Sequence, residues 1–399
     1  MPLGLSMGLR LGQPLARAYP SWVPYGTTWA LDGINRRGWR KAIGGIGERF
    51  EEAGLTTLLT VTGDNKRTYF DSSGVLQTAA TNALRFDHSL TGVQLGILSD
   101  GARTNVVPWN RDLTNVAWTK TNVTAAKNQV GIDGVANSAS SLTATANAGT
   151  CLQAITLSSS ARAQSAFVKR LTGSGTVEMT MNGGSTWTAI TPTSSWARFT
   201  IPTATLANPS VGFRIATSGD AIAVDFVQNE NGIMPSSPIA TTTVAVTRAA
   251  DVLTAALGDW FNPNEGTFVC EYSCEYAGAV DREAFRVDDN SDSNRLMYRA
   301  VDSGGFARLY VIAAGVVTAE LIALNSPNIG PVNKVALAYK ANDFGLSFNG
   351  VAATPDTNGA VPTGLTALKL GLNGLFGHTR ELYYLPKRVG GAELLARSV

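Results

Sequence analysis

The sequence predicts an all-β protein built of two consecutive β-sandwich (jelly-roll) domains behind a small N-terminal region, and three observations predict it. Charged residues make up only 16% of the 399-residue chain, against roughly a quarter in ordinary soluble domains. Their place is taken by Thr, Ser, Ala, Asn and 41 Gly, which suit strands joined by tight turns better than charge-studded surface helices. Beyond about residue 110, short alternating apolar and polar stretches recur at roughly ten-residue spacing with Gly, Asn and Pro between them, the pattern of sandwiches and jelly rolls.

Taken in order, residues 1–65 hold the main helical signal. RRGWRKAIGGIGERFEEAGL, starting at Arg36, spaces Trp39, Ile43, Ile46 and Phe50 by four, three and four, with Gly54 as a stop, which predicts one amphipathic helix. Gly38, Gly44, Gly45 and Gly47 each weaken it by up to about 1 kcal/mol relative to Ala, so it needs a surface to pack on, either its own sandwich or another protein. Residues 66–109 read as hairpins and a connecting arm, with Asp71-Ser72-Ser73-Gly74 as a turn. Residues 110–240 supply the first sandwich, with strands such as Ala163 to Lys169 and Ala221 to Val227, and residues 241–399 the second. Asn349-Gly350 is a favoured hairpin turn, and a short helix is expected in Gly391 to Ala396.

The formal net charge of +2 gives no electrostatic reason to bind nucleic acid or an anionic membrane. The opening MPLGLSMGLRLGQPLARAYP lacks an unbroken apolar run and a preceding basic segment, so no secretion signal is expected, and no stretch reaches the 18 or so apolar residues of a membrane span. Cys270 and Cys274 fall on one strand with Cα atoms ~13 Å apart, too far for a bridge, so these two and Cys151 are expected as buried free thiols.

Little in the sequence points to catalysis. His88 and His378 are far apart and no nucleophile elbow accompanies them, which argues against a hydrolytic triad. Glu271 and Glu275 in CEYSCEY share one face of a strand, but their spacing of ~13 Å along the backbone exceeds what a sugar-cleaving pair requires, and a solvated sheet face fits them better. VDDNSDSN offers Asp288, Asp289, Asn290, Asp292 and Asn294 as oxygen ligands, yet lacks the Gly and terminal Glu of the calcium loop; a polar hairpin loop competes with a calcium site. No cofactor motif is present. Trp118, Trp187, Trp196 and Trp260 fit core aromatics or sugar platforms, and Tyr383 and Tyr384 point to opposite faces of a strand.

Three stretches carry a resemblance. Residues 67–124 run from Asp71 to Gly74, through Arg85-Phe86-Asp87 and Ala102-Arg103-Thr104-Asn105, to Trp118-Thr119-Lys120. Residues 234–272 look like a jelly-roll exit. Residues 345–398 combine Asn349-Gly350, Gly377-His378-x-Arg380 and Tyr383-Tyr384-x-Pro386-x-Arg388. Together they resemble modular fibre and spike proteins of tailed bacteriophages, with a carbohydrate-binding-like jelly roll and a C-terminal concanavalin A-like (laminin-G-like) sandwich. The resemblance implies a non-enzymatic appendage on the virion surface, assembled in the host cytoplasm. Its implied partners are capsid, portal or tail proteins, further copies of itself as a homotrimer, and host cell-surface polysaccharide, with N-terminal residues as the attachment region. Trp187 and Asp289 represent the candidate ligand-binding residues, and neither a metal nor a cofactor is expected. A purely structural capsid decoration or spike-base protein and a depolymerase tailspike are the alternatives.

Overall fold

The computed structural model describes residues 19–41, 47–275, 281–301, 304–328, 330, 332–372 and 374–399. The chain is all-β, as expected, and its bulk is two sandwiches. In the first, two five-stranded antiparallel sheets face each other. One runs Thr119–Thr121, Gly149–Ala154, Ser210–Ile215, Val177–Thr180, Thr188–Ile190, and the other Val123–Gln129, Ala139–Ala144, Ala221–Asn231, Ser160–Thr172, Ala197–Leu206. Alternation drives the closure: Val211, Phe213 and Ile215 turn inward onto Met179, Leu142 and Val168, while Arg214 between them turns out.

The second sandwich packs a seven-stranded sheet, centred on Arg282–Asp288, Ala367–Leu372 and Val252–Ala256, against a ten-stranded one centred on Glu265–Cys274 and Gly377–Leu385. Phe268, Tyr272, Phe285, Tyr298, Leu337 and Tyr384 fill the space between. Tyr383 lies on the opposite face, under a small outer layer that includes Val23 and Leu394 of the short helix Gly391–Arg397. All three cysteines are buried and none is in a disulfide. Among the described residues, no helix is long and apolar enough to cross a membrane.

The N-terminal segment does not stand apart. Strand Trp29–Asp32 lies beside the C-terminal strand Gly377–Leu385, with Trp29 opposite Tyr384, and Thr60–Thr62 pairs with Val252–Ala256. The second sandwich is therefore assembled from both ends of the chain together with Gln94–Ser99, and the jelly roll is one long excursion between Asn105 and Val246. The modules are nested where the sequence suggested that they simply follow one another.

The helix expected from Arg36 to Gly54 is instead a hairpin of Arg37–Lys41 and Gly47–Glu51, followed by a single helical turn, Leu55–Leu58; Ile43 and Ile46 of the expected helix face lie outside the described residues. Two physical reasons decide it. Opposite charges face across the strands, Arg40 with Glu48 at 2.7 Å and Arg36 with Glu52 at 3.2 Å. A side chain at Gly38 would also collide with Leu58, since a Cβ there would lie 2.4 Å from the leucine Cδ2. Trp39 then packs on the outer layer, whereas Phe50 packs against the inner core, a split that no single helix face allows.

The arm joins the modules through a buried ionic network. Arg85 bonds Asp100 at 3.0 Å and also pairs with Asp251, which takes Arg67 at 2.9 Å; Arg248 reaches Asp100 at 3.4 Å. Ser237 of the jelly-roll exit donates to Asp100 at 2.6 Å. None of the five charged side chains is more than 3% exposed. Burial pushes the Asp100 carboxyl up, yet Arg248, Arg85 and the Ser237 hydroxyl together hold it far below the usual carboxylate range.

Breaking such a network strands a buried charge. Arg85→Met is expected to cost about 3–5 kcal/mol, read as a lower urea midpoint; an unchanged midpoint would show that the network contributes nothing. Because the folded Asp100 carboxyl lies below its unfolded value, its contribution is complete above about pH 4 and is lost as pH falls below that.

Candidate functional site

The three segments meet around a cleft of about 810 Å³, within the range of small-molecule sites. The arm supplies Phe70, Leu76, Asp87 and His88, the jelly roll Phe167, Arg198 and Ile201, and the second sandwich Glu275, Phe376 and His378. Sequence reasoning set the two histidines apart. The fold brings both to this cleft, because Gln94–Ser99 extends the ten-stranded sheet with Leu98 opposite His378, and Phe86–His88 pairs with Gln94–Ser99.

His378 Nε2 donates to Asp87 at 2.9 Å, and its Nδ1 accepts from the Ser273 hydroxyl at 3.0 Å. The alignment has the composition of a hydrolytic triad. Ser273, however, is 6% exposed and lies behind the imidazole, off the cleft wall. Asp87 also accepts the Phe70 N–H at 2.6 Å. His88 donates through Nδ1 to the Phe70 carbonyl at 2.8 Å, and its Nε2 accepts from Arg36 at 3.3 Å. These bonds position the arm on the sandwich.

Glu271 and Glu275 do not act as a pair. A bulge after Glu271 re-aims Arg380, which bonds Glu271 at 2.8 Å on the outer face of the sheet. Glu275 follows the strand's last residue, Cys274, and stands exposed at the cleft. Surrounding protein pushes its carboxyl up, while His378 and Arg198 pull it down by less. The residue that sequence reasoning missed beside Glu271 is Glu381. It sits directly between Glu271 and Asp32 in the strand register, and burial, reinforced by those two carboxylates, pushes its carboxyl to about 7.

Trp187 and Asp289 fall in different sandwiches. Asp289 is half-buried in the loop joining Arg282–Asp288 to Arg295–Val301, where it accepts from the Ser291 N–H at 2.8 Å, the Ser291 hydroxyl at 2.6 Å and Asn294 Nδ2 at 2.9 Å. Those bonds, the Ser291 hydroxyl's above all, lower its carboxyl. Asp288 is buried on Lys369 at 2.9 Å. The loop thus ties its own carboxylates, and no cluster of three or more metal-ligating acids, His or Cys occurs among the described residues.

Trp187 differs from the other tryptophans weighed with it. Trp118 and Trp260 are buried in the two main cores, and Trp196 packs on the arm's apolar cluster. Trp187 belongs to none of these clusters. It stands half-buried on the open face of the jelly roll's five-stranded sheet, with the Arg214 guanidinium 4.6 Å from its ring centre. Arg214 is held by Glu178 at 2.5 Å, and Thr150 completes the row across three strands. Gly212 keeps the neighbouring floor flat, since a Cβ there would lie 2.0 Å from the Cys151 carbonyl.

No protein-family model and no curated protein matches the chain. Among solved structures it is similar to the CBM40 domain of Ruminococcus gnavus IT-sialidase bound to α2,3-sialyllactose, at 15% identity over 35% of this chain and 84% of that one, with a TM-score of 0.30. It is also similar to the CBM22 tandem of Paenibacillus barcinonensis Xyn10C, at 10% identity over 72% and 97% of the two chains, TM-score 0.26. A third is the LG1-3 region of the laminin alpha2 chain, at 7% identity over 61% and 66%, TM-score 0.28. The likeness is one of sandwich architecture.

A raised carboxyl in the folded state destabilises wherever it must ionise. The cost at Glu381 sets in as pH rises from its ordinary 4.5 toward about 7 and is complete above that. Glu381→Gln is expected to stabilise the protein by about 1–2 kcal/mol at pH 8 and to change nothing at pH 4; equal urea midpoints at pH 8 would refute this.

Proposed function

We propose that the chain is a non-catalytic component of a bacteriophage surface appendage that contacts host-surface glycan through the open face of its jelly roll. The observation that carries the glycan reading is Trp187, an aromatic outside every apolar cluster. It is flanked by an arginine and a glutamate already fixed in orientation by their mutual bond. An indole with planar, pre-oriented hydrogen-bonding side chains suits a sugar, whose apolar ring face stacks while its hydroxyls bond at the edge. The surface is shallow and water-exposed, so each contact is weak. Several copies on one particle, joined as a homo-oligomer, gain strength through effective concentration. The virion setting rests on the resemblance in residues 67–124 and 345–398 and not on this geometry.

A cleaving tailspike is the second reading, and one observation favours it: Asp87 and Glu275 line the same cleft, and the Glu275 carboxyl is raised, as a general acid requires. Against it, both oxygens of Asp87 are engaged, by His378 and Phe70.

Binding of the full chain to a glycan array and to host cells tests the proposal. Trp187→Ala is expected to lower retention at least tenfold with the circular dichroism unchanged, and undiminished retention would sink the jelly-roll face as the contact. Host polysaccharide should release no reducing ends. Release abolished by Glu275→Gln would establish the cleaving reading in its place.

A further inference from the structure

The inter-module cleft does not include Trp187 and has a chemistry of its own. Most of its polar groups already bond within the protein: Asp87 and both histidines as described, and Ser237 to Asp100. Among the charged groups of the lining, two keep atoms free for a ligand. The Glu275 carboxylate makes no hydrogen bond or ion pair among the described residues, and it is exposed at the wall. Arg198 commits Nε and Nη2 to the Ser165 hydroxyl and Nη2 also to the Ser236 carbonyl, at 3.3, 2.9 and 2.6 Å. Those bonds orient the guanidinium and leave its Nη1 without a hydrogen bond among the described residues.

Both groups line the same cleft. Between and around them the wall is apolar, with Phe70, Phe167, Ile201, Pro202 and Met234. A complementary ligand offers one N–H donor for the carboxylate, one carbonyl acceptor for the guanidinium, and a small apolar group for the wall. A secondary acetamide carries all three on five heavy-atom positions or fewer.

We propose that this cleft is a second ligand site, one that takes the acetamido group of an N-acetylated hexosamine. Its N–H donates to Glu275, its carbonyl accepts from Arg198 Nη1, and its methyl packs against the aromatic wall. Both bonds are charge-assisted, the stronger class. A peptide bond offers the same donor and acceptor. The edge strand on the jelly-roll side of the cleft is Ala197–Leu206, however, and it presents Pro202 there. That residue has no N–H for an added strand to pair with. The cleft's volume leaves room for more than the acetamido group itself, so the sugar ring enters with it.

Titration calorimetry of the full chain with N,N′-diacetylchitobiose tests the site, with cellobiose and the deacetylated glucosamine dimer as the partners that lack acetyl groups. Saturable binding of the acetylated dimer alone is expected, weakened at least tenfold by Glu275→Ala and less by Glu275→Gln, which keeps an acceptor oxygen. Trp187→Ala should leave it unchanged. Equal binding of cellobiose, no binding of the acetylated dimer, or an unaltered affinity in Glu275→Ala would each overturn the proposal. Binding lost in Trp187→Ala but retained in Glu275→Ala would also overturn it, while supporting the jelly-roll face, so the two sites fail separately.

Discussion

The arrangement of the whole molecule depends on five charges that water does not reach. Arg67, Arg85 and Arg248 face Asp100 and Asp251 at the point where the arm leaves the second sandwich and the chain returns from the jelly roll. A buried ion pair adds little net stability compared with a well-packed apolar substitute, yet removing one partner is severe because the other charge is left uncompensated. The network therefore acts less as glue than as a register. Guanidiniums from the arm and from the return strand, and carboxylates from both sides, are satisfied together only in one mutual placement of the segments. Arg67 adds bonds to the Asp64, Ala80 and Ala83 carbonyls, which fixes the arm's own path.

Both candidate surfaces follow from that placement. The cleft exists because the arm is held away from the jelly roll's edge strand on one side and anchored to the second sandwich on the other, through Asp87, His378 and Ser273. The Trp187 face belongs to the sheet whose other side builds the jelly-roll core, so its flatness reflects alternation in Ser210–Ile215 and Val177–Thr180. One surface is a concave cleft with largely apolar walls, the other flat and polar, and the two differ in what they can hold.

The two-sandwich architecture was legible because period-two alternation is a local signal: each strand of the jelly roll announces its own buried face. Nesting was not legible, since the pairing of Trp29–Asp32 with Gly377–Leu385 spans nearly the whole chain and no local pattern encodes it. The hairpin at Arg37–Glu51 was misread for a different reason. Apolar spacing of four, three and four is compatible with a helix, but the charges carried the better signal. Basic Arg36, Arg37 and Arg40 are mirrored about position 44 by acidic Glu52, Glu51 and Glu48, as antiparallel strands require and a helix does not. Among site residues, Trp187 was picked out by residue type alone, whereas Glu275 was seen only as half of a pair that four residues of extended chain hold apart. The Asp87–His378 bond lay within two motifs quoted for their resemblance, Arg85-Phe86-Asp87 and Gly377-His378-x-Arg380, and only the fold makes them neighbours.

The way the jelly roll is carried bears on how it withstands tension. Its two leads, Arg103–Asn105 and Val246–Arg248, are paired antiparallel strands. A pull on the jelly roll thus draws both leads in the same direction and does not peel one from the other. Beyond them one lead joins Gln94–Ser99, paired with Gly377–Leu385, and the other joins Val252–Ala256, paired with Ala367–Leu372, so both sheets of the second sandwich share the load. A head hung from a single linker would concentrate the same force on one strand; this one hangs from a two-legged harness stitched into the middle of the molecule.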